Sequence, residues 1–366
     1  MNYSAIDYHK KNSFVSVINE QGQRVAEAKI KGNEPAAFAE FFAGLGGEAT
    51  KVVVEACWNW GWLYDVLERI EEVEEVVLAH PYKTRVIAEA QVKSDKLDAR
   101  ILSQLLRGNL IAQAHAPSWQ TRQKRFLLRQ RMFWVRIRTM VRNRVHALLA
   151  RQHGLELPQR RDLFGAGAMK VLRTLCVAGS DQTLLNQDLE VLEQLNEQIK
   201  ASERQIAHEM GSDPEVERLQ TIPGVGKLLA AVIAAEFDGA ARFRTNKKLW
   251  GYCGLAPSTR SSDRHTWHGP LLGQCNKWLR WAFVEAAWVA IAHSGYFGAI
   301  YRRQIERGKI PNQAIIVVAR RLCEIAWKVL REKRSFQTSA PAKTSHRPHV
   351  ILADAPHQSA SRPRSD

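Results

Sequence analysis

Asn2-Tyr3-Ser4-Ala5-Ile6-Asp7-Tyr8 begins a segment in which apolar and polar side chains alternate, through Phe14, Val15, Val17 and Ile18 and on from Val25 to Ile30. A period of two is the pattern of strands with one buried face. The break at Asn19–Gly22, with Glu20-Gln21-Gly22 as a hairpin turn, divides the segment into three short strands in meander order. Working outward, Pro35–Phe42 has helical spacing and Gly44-Leu45-Gly46-Gly47 interrupts the chain. Lys51-Val52-Val53-Val54-Glu55 is a β-branched strand closed by a carboxylate. A helix around Trp60–Ile70, a strand at Val76–Ala79 and a helix over Asp95–Arg107 complete a β-rich start followed by βα alternation. The expected class is α/β plus α: a mixed sheet flanked by helices, then a helical remainder.

Four acids in this region hold positions from which they can converge. In Lys93-Ser94-Asp95-Lys96-Leu97-Asp98-Ala99, the i, i+3 spacing sets Asp95 and Asp98 on one face of a helix. An acidic first turn also suits the helix dipole, so the pair alone does not require a ligand. Asp7 lies in the middle of the first expected strand and Glu55 closes a neighbouring central one, so the two can face each other across the sheet. Clustered carboxylates repel, and burying them is costly unless protons or a cation neutralise them. Magnesium is the hard, oxygen-seeking candidate.

The chain has 53 Lys+Arg against 37 Asp+Glu, a net charge of +16. That balance points to a polyanion such as nucleic acid or an anionic membrane surface. No run of about 18 apolar residues suggests a bilayer span and no signal peptide is evident at Met1, so a soluble cytoplasmic protein is expected. The five cysteines lack CxxC spacing, which argues against a zinc site or a disulfide framework.

Between Trp119 and Arg151 there are ten basic residues and no acid. Apolar residues recur at helical spacing, which predicts one long helix with a basic exterior. Arg122, Lys124, Arg125, Arg129, Arg136, Arg142 and Arg144 are the candidate phosphate contacts. A second heptad-like run, Leu185 to Ile206, suits an antiparallel partner or a dimeric coiled coil. Further on, Thr221-Ile222-Pro223-Gly224-Val225-Gly226-Lys227 precedes an apolar helix over Leu228–Glu236. Gly224, Gly226 and Lys227 could bring backbone N–H groups to a phosphate, or the segment could be a tight Pro-Gly turn. A polar loop over Gly251–His265 lies between helices, Trp278–Ala292 is helical, and the Ser/Pro-rich tail beyond Arg334 is expected to be disordered.

In order and spacing these features resemble the DEDD-type insertion-sequence transposases with a catalytic serine, understood as bridge-RNA-guided recombinases. The resemblance covers roughly residues 2–330. It rests on Ile6-Asp7, Val54-Glu55-Ala56, Lys93-x-Asp95-x-x-Asp98-Ala99, Arg142–Leu149, Ile222–Gly226, Gly254-Leu255-x-Pro257, Asn276-x-x-Leu279-Arg280 and Val284–Ala287. It implies a RuvC-like, RNase H-type domain over 1–115 and a basic coiled-coil domain over 116–212. A mainly helical transposase domain over 213–335 and a tail over 336–366 complete the division. Asp7, Glu55, Asp95 and Asp98 fall on the four named acids and the nucleophile falls on Ser262. Asp263 stands where the family usually has glycine and Cys275 replaces another common glycine, so Ser261 is a rival. The resemblance further implies magnesium, donor and target DNA, a non-coding guide RNA, assembly into dimers to tetramers, and nucleoid association during activity. Two other activities suit the same residues: a RuvC-like nuclease using metal-activated water, and a non-catalytic nucleic-acid-binding protein.

Overall fold

The computed structural model of the chain describes residues 1–87, 94–152, 162–262 and 265–337. The three expected N-terminal strands form as β1 (Asn2–Tyr8), β2 (Asn12–Ile18) and β3 (Arg24–Lys31). They are followed by α1 (Pro35–Ala43), β4 (Thr50–Glu55), α2 (Trp60–Leu67), β5 (Val73–Ala79), α3 (Pro81–Ile87) and α4 (Asp95–Arg107). The sheet order is β3-β2-β1-β4-β5. The meander pairs antiparallel, and β4 joins β1 in parallel with Ile6 opposite Val54. The sheet is therefore mixed, as the alternation predicted.

Both faces of the central strands are covered. Ile6, Tyr8, Val52 and Val54 pack with Phe38, Phe42, Leu63 and Leu67 from α1 and α2. Ala5, Val53, Val77 and Ala79 pack with Leu102 and Leu106 of α4. Two-sided burial explains why Val52-Val53-Val54 is a continuous apolar run. Each such side chain contributes roughly 1.5–3 kcal/mol when fully buried.

The long helix α5 spans Trp119–Ala150, followed by α6 (Ala166–Thr174) and α7 (Ser180–Met210). Cross-links between α5 or the residue after it and α7 run Arg131–Glu203, Arg138–Asn196, Arg144–Asp188 and Arg151–Asp181. One set of numbers rises as the other falls, so the helices are antiparallel. Leu185, Leu189 and Leu192 of the heptad-like run meet Val145, Leu148 and Leu149.

The remainder comprises α8 (Pro214–Gln220), α9 (Lys227–Phe237), α10 (Asn246–Tyr252), β6 (Pro257–Ser262), β7 (His265–Leu271), α11 (Lys277–His293), α12 (Gly295–Glu306) and α13 (Pro311–Arg331). It shares one core, reaching back to Leu128, Ile206 and Met210 at the root of the long helices. In the segment read as a polar loop, Pro257–Ser262 and His265 belong instead to β6 and β7, which form a two-stranded sheet of their own. Lys93, Asp263, Arg264 and most of the expected tail lie outside the described residues. Among the described residues no helix is long and apolar enough to cross a membrane.

Candidate functional sites: an acidic cluster and a serine hairpin

Asp7 lies near the C-terminal end of β1, not at its middle, because the strand ends at Tyr8. By the period of two it shares the face of Tyr3 and Ala5, the face that α4 covers. Glu55 ends β4 one position beyond the Ile6–Val54 pair and shares the face of Val53. The two acids therefore sit side by side at the C-terminal ends of adjacent parallel strands. Across from them α4 begins, with Asp95 and Asp98 in its first turn. Ser94 caps this helix by accepting from the Leu97 N–H at 3.2 Å.

The electrostatics record the convergence. Burial pushes the Asp7 carboxyl above its ordinary range; His9 opposes this, while Asp95 and Asp98 add to it. Burial raises Glu55 as well, reinforced by Asp7 and Asp98. His9, which the sequence reading missed, has Nε2 3.2 Å from Asp7 Oδ2 and 3.5 Å from Asp95 Oδ1. Its one available signal was a histidine two residues after the strand acid. Ligand atoms of Asp7, His9 and Asp95 lie within 4.8 Å of one another. Two carboxylates and an imidazole within reach of one another, beside the desolvated carboxyl of Glu55, are a donor set that fits a divalent cation.

Glu27, also absent from the sequence reading, fixes α4 against the sheet. Its carboxylate accepts from Arg100 Nε and from Arg100 Nη2 at 2.9 Å, and Lys96 Nζ lies 3.3 Å away. The Arg100 hydrogen bonds, with help from Lys96 and Arg24, hold Glu27 at about 2. A depressed carboxyl contributes stability that is present above its unfolded pKa, about 4.3, and is lost as the pH falls toward the folded value. Glu27→Gln is accordingly expected to cost about 1–2 kcal/mol at pH 7. Urea unfolding of both proteins checks this: the gap should narrow below about pH 4.

Several of the basic side chains of α5 meet acids that come from distant sequence. Arg122 pairs with Asp65 at 2.5 Å, and Lys124 with Asp213 at 3.0 Å. Arg125 and Arg129 pair with Glu236 at 3.3 and 2.8 Å, and Arg144 with Asp188 at 2.9 Å. Arg142 lies over the Phe164 ring, and Arg136 is exposed. In the glycine turn, Gly224 has φ +85° and sits so close to α11 that a β-carbon would overlap the Ala286 carbonyl oxygen. Gly226 and Lys227 are exposed at the start of α9, with open space beside Gly226.

Ser261 and Ser262 lie at the end of β6, a hairpin strand with exposed residues from Thr259 onward. Its sheet is separate from that of Asp7 and Glu55. Arg280 of α11 donates to the Leu272 carbonyl, and Arg320 Nε donates to the Leu255 carbonyl at 2.5 Å, so both cations brace the hairpin's root.

Known proteins share these two regions. A family model described as "Transposase", of the DEDD IS110 type, matches residues 5–153, and one described as "Transposase IS116/IS110/IS902 family" matches residues 216–302. An uncharacterized protein of insertion element IS116 from Streptomyces clavuligerus is 32% identical over 149 residues, 40% of this chain and 37% of its own. A pilin gene-inverting protein of Moraxella bovis is 35% identical over 121 residues, covering 32% of this chain and 37% of its own. A putative transposase, y4qE, of Sinorhizobium fredii is 25% identical over 269 residues, 67% of this chain and 66% of its own. The matches to the IS116 and IS110 proteins span 37% and 36% of those proteins' length. Residues 5–153 thus match the model of the DEDD IS110-type transposases, and residues 216–302 match that of the IS116/IS110/IS902 transposases.

Proposed function

We propose that this chain is the transposase of an insertion sequence, a site-specific DNA recombinase that exchanges strands through a phosphoserine link at Ser262. The observation that supports the reading is that Asp7 and Glu55, at the C-terminal ends of the central strands β1 and β4, feel the charges of Asp95 or Asp98 at the start of α4, within the stretch that matches the DEDD transposase model. The pilin gene-inverting relatives support recombination rather than simple cleavage, since inversion requires rejoining. Magnesium, held by the four acids, would neutralise the scissile phosphate and the leaving oxygen. Ser262 attacks the phosphodiester and conserves its bond energy in a covalent link, which a second strand end then reverses. Because serine and acids belong to separate sheets, we assign their meeting to assembly of subunits, as dimers to tetramers on paired donor and target DNA.

Target choice by a non-coding guide RNA belongs to the same proposal. It rests on the family resemblance and on the net charge of +16, which suits a chain that holds nucleic-acid backbones. The further divisions of the chain, with a basic helical region over 116–212 between the acid-bearing and serine-bearing parts, follow from the same reading.

Ser262→Ala tests it. The protein is incubated with a duplex bearing the junction of the element and its flank, magnesium and the RNA transcribed beside the reading frame. Wild type is expected to give a detergent-resistant protein–DNA adduct, and Ser262→Ala none. Strand cleavage that persists in Ser262→Ala with no adduct in either protein would replace this reading by a nuclease that uses water.

A further inference from the structure

The β6–β7 hairpin sorts its side chains onto two chemically different faces. The register pairs Thr259 with His268, Arg260 with Trp267, Ser261 with Thr266 and Ser262 with His265. Directly opposed residues share a face and successive residues alternate. Thr259, Ser261, Thr266 and His268 therefore lie on one side, where they satisfy one another. Thr259 Oγ1 is 3.2 Å from His268 Nδ1, and Ser261 Oγ is 3.2 Å from Thr266 Oγ1. Arg260, Ser262, His265 and Trp267 occupy the other side. There the His265 and Trp267 rings stack with centroids 5.9 Å apart and planes 28° apart, and all four residues are exposed.

We propose that His265 is the proton acceptor for Ser262, on a hairpin face built to take a DNA phosphodiester. This rests on the recombinase reading above and deepens it. Cross-strand partners bring β-carbons to about 4.5–5.5 Å, close enough for an imidazole nitrogen to reach a serine hydroxyl. Stacking on Trp267 limits the rotation of the ring. Arg260, with no ion-pair partner among the described residues, offers a planar cation to the phosphate oxygens. The exposed Trp267 indole gives a flanking base a surface to stack on. The same geometry favours Ser262 over Ser261, because Ser261 shares its face with Thr266 and His268 while Ser262 shares its face with His265 and Arg260.

In the first transfer the Oγ–P bond forms and the P–O bond to the deoxyribose breaks. The serine proton moves to His265, and the released deoxyribose oxygen takes a proton from solvent. In the second transfer the hydroxyl of the incoming strand loses its proton to solvent and forms the new P–O bond. The P–Oγ bond breaks, and His265 returns the proton to Oγ.

The test measures adduct formation by the full chain on the junction duplex, with magnesium and the adjacent RNA. His265→Ala and His265→Gln are expected to slow the adduct about 10²-fold or more while leaving DNA affinity unchanged. Added imidazole is expected to restore His265→Ala in a saturable way, more at pH 8 than at pH 6, where less of the imidazole is neutral. Ser261→Ala is expected to retain wild-type rates. Wild-type rates in both His265 variants would overturn the proposal, as would slowing that imidazole leaves unchanged in a variant with normal melting and DNA binding. If wild type itself forms no adduct, the recombinase reading fails. If wild type forms one through Ser262 and His265→Ala matches it, only the role of His265 fails.

Discussion

Asp7→Asn is expected to abolish the magnesium response and at the same time make the metal-free protein more stable. In the absence of metal, Asp7 is a half-buried carboxylate facing Asp95 and Asp98, and its carboxyl is pushed up by burial. For such a group, ionisation costs stability. That cost begins as the pH rises past the unfolded value of about 3.9 and is complete above the raised folded value. Asparagine removes the charge and keeps the shape. It also removes the His9 contact, but that pair is exposed on the His9 side and contributes little. The net gain is expected to be about 1 kcal/mol, a rise of about 1–2 °C in melting temperature at pH 7 without metal. Wild type should melt higher when magnesium is added, since binding to the folded state alone stabilises it by mass action. Asp7→Asn should show little of that rise. Strand exchange by the variant should fall on the order of 10²–10³-fold. Thermal melts with and without magnesium check the first part without any knowledge of the DNA target. A variant that melts lower than wild type without metal and still responds to magnesium would remove Asp7 from the metal set.

The parts of this molecule that were legible in the sequence are those fixed by local periodicity. The meander over residues 2–30, the apolar run Val52–Val54 and the helix Asp95–Arg107 each carry their own period, and each formed at nearly the expected place. The same periodicity bears on Asp7 and Glu55, because face assignment in a strand follows from neighbours one and two residues away. What escaped was long-range. Arg122, Lys124, Arg125 and Arg129 read as a free basic face because their acids, Asp65, Asp213 and Glu236, lie between 57 and 111 residues away in the chain. Glu27 gave no hint that it clamps α4, since Arg100 is 73 residues distant. The β6–β7 hairpin was read as a loop because its strands are polar on both faces, so the alternation that marks a half-buried strand is missing. The sequence between the strands, Asp263-Arg264, is also not one of the Asn-Gly or Asp-Gly pairs that announce a hairpin.

Polar strands of that kind have a further consequence for the proposed chemistry. With its described residues exposed from Thr259 to Pro270, the hairpin gains little from burial and is held mainly at its root. Arg280 and Arg320 bind carbonyls there, and the Asn276 N–H donates to the Tyr252 carbonyl at 2.7 Å. A nucleophile carried on such an element can reach a site on another body only if its base is anchored, and Asn276 is the anchor with the most connections.

Glu236→Ala is expected to be the most destabilising single substitution considered, because Glu236 joins that anchor to the long helix. The residue is 3% exposed near the end of α9. Its Oε1 accepts from Arg129 Nη2 at 2.8 Å and its Oε2 accepts from Asn276 Nδ2 at 2.8 Å, with Arg125 Nε 3.3 Å away. Asn276 in turn caps α11, its Oδ1 accepting the N–H groups of Trp278 and Leu279 at 3.1 Å each. Alanine would leave the desolvated Arg125 guanidinium without its counter-charge and would free the Asn276 amide. Breaking a buried pair from one side costs about 3–5 kcal/mol, far more than the pair contributes when intact. Glu236→Gln keeps the shape and one acceptor, so its cost should be about half. Replacing the whole network, with Glu236→Leu, Arg125→Met and Arg129→Met together, should recover most of the loss, because no uncompensated charge then remains. Urea unfolding followed by tryptophan fluorescence checks this, since Trp278 lies under Arg129 with 5.7 Å between guanidinium and ring. A triple variant as unstable as Glu236→Ala would show that lost packing, not the stranded cations, sets the cost. Recovery of stability without recovery of adduct formation would show that the network's remaining role is to hold the Asn276 anchor, and through it the hairpin bearing Ser262.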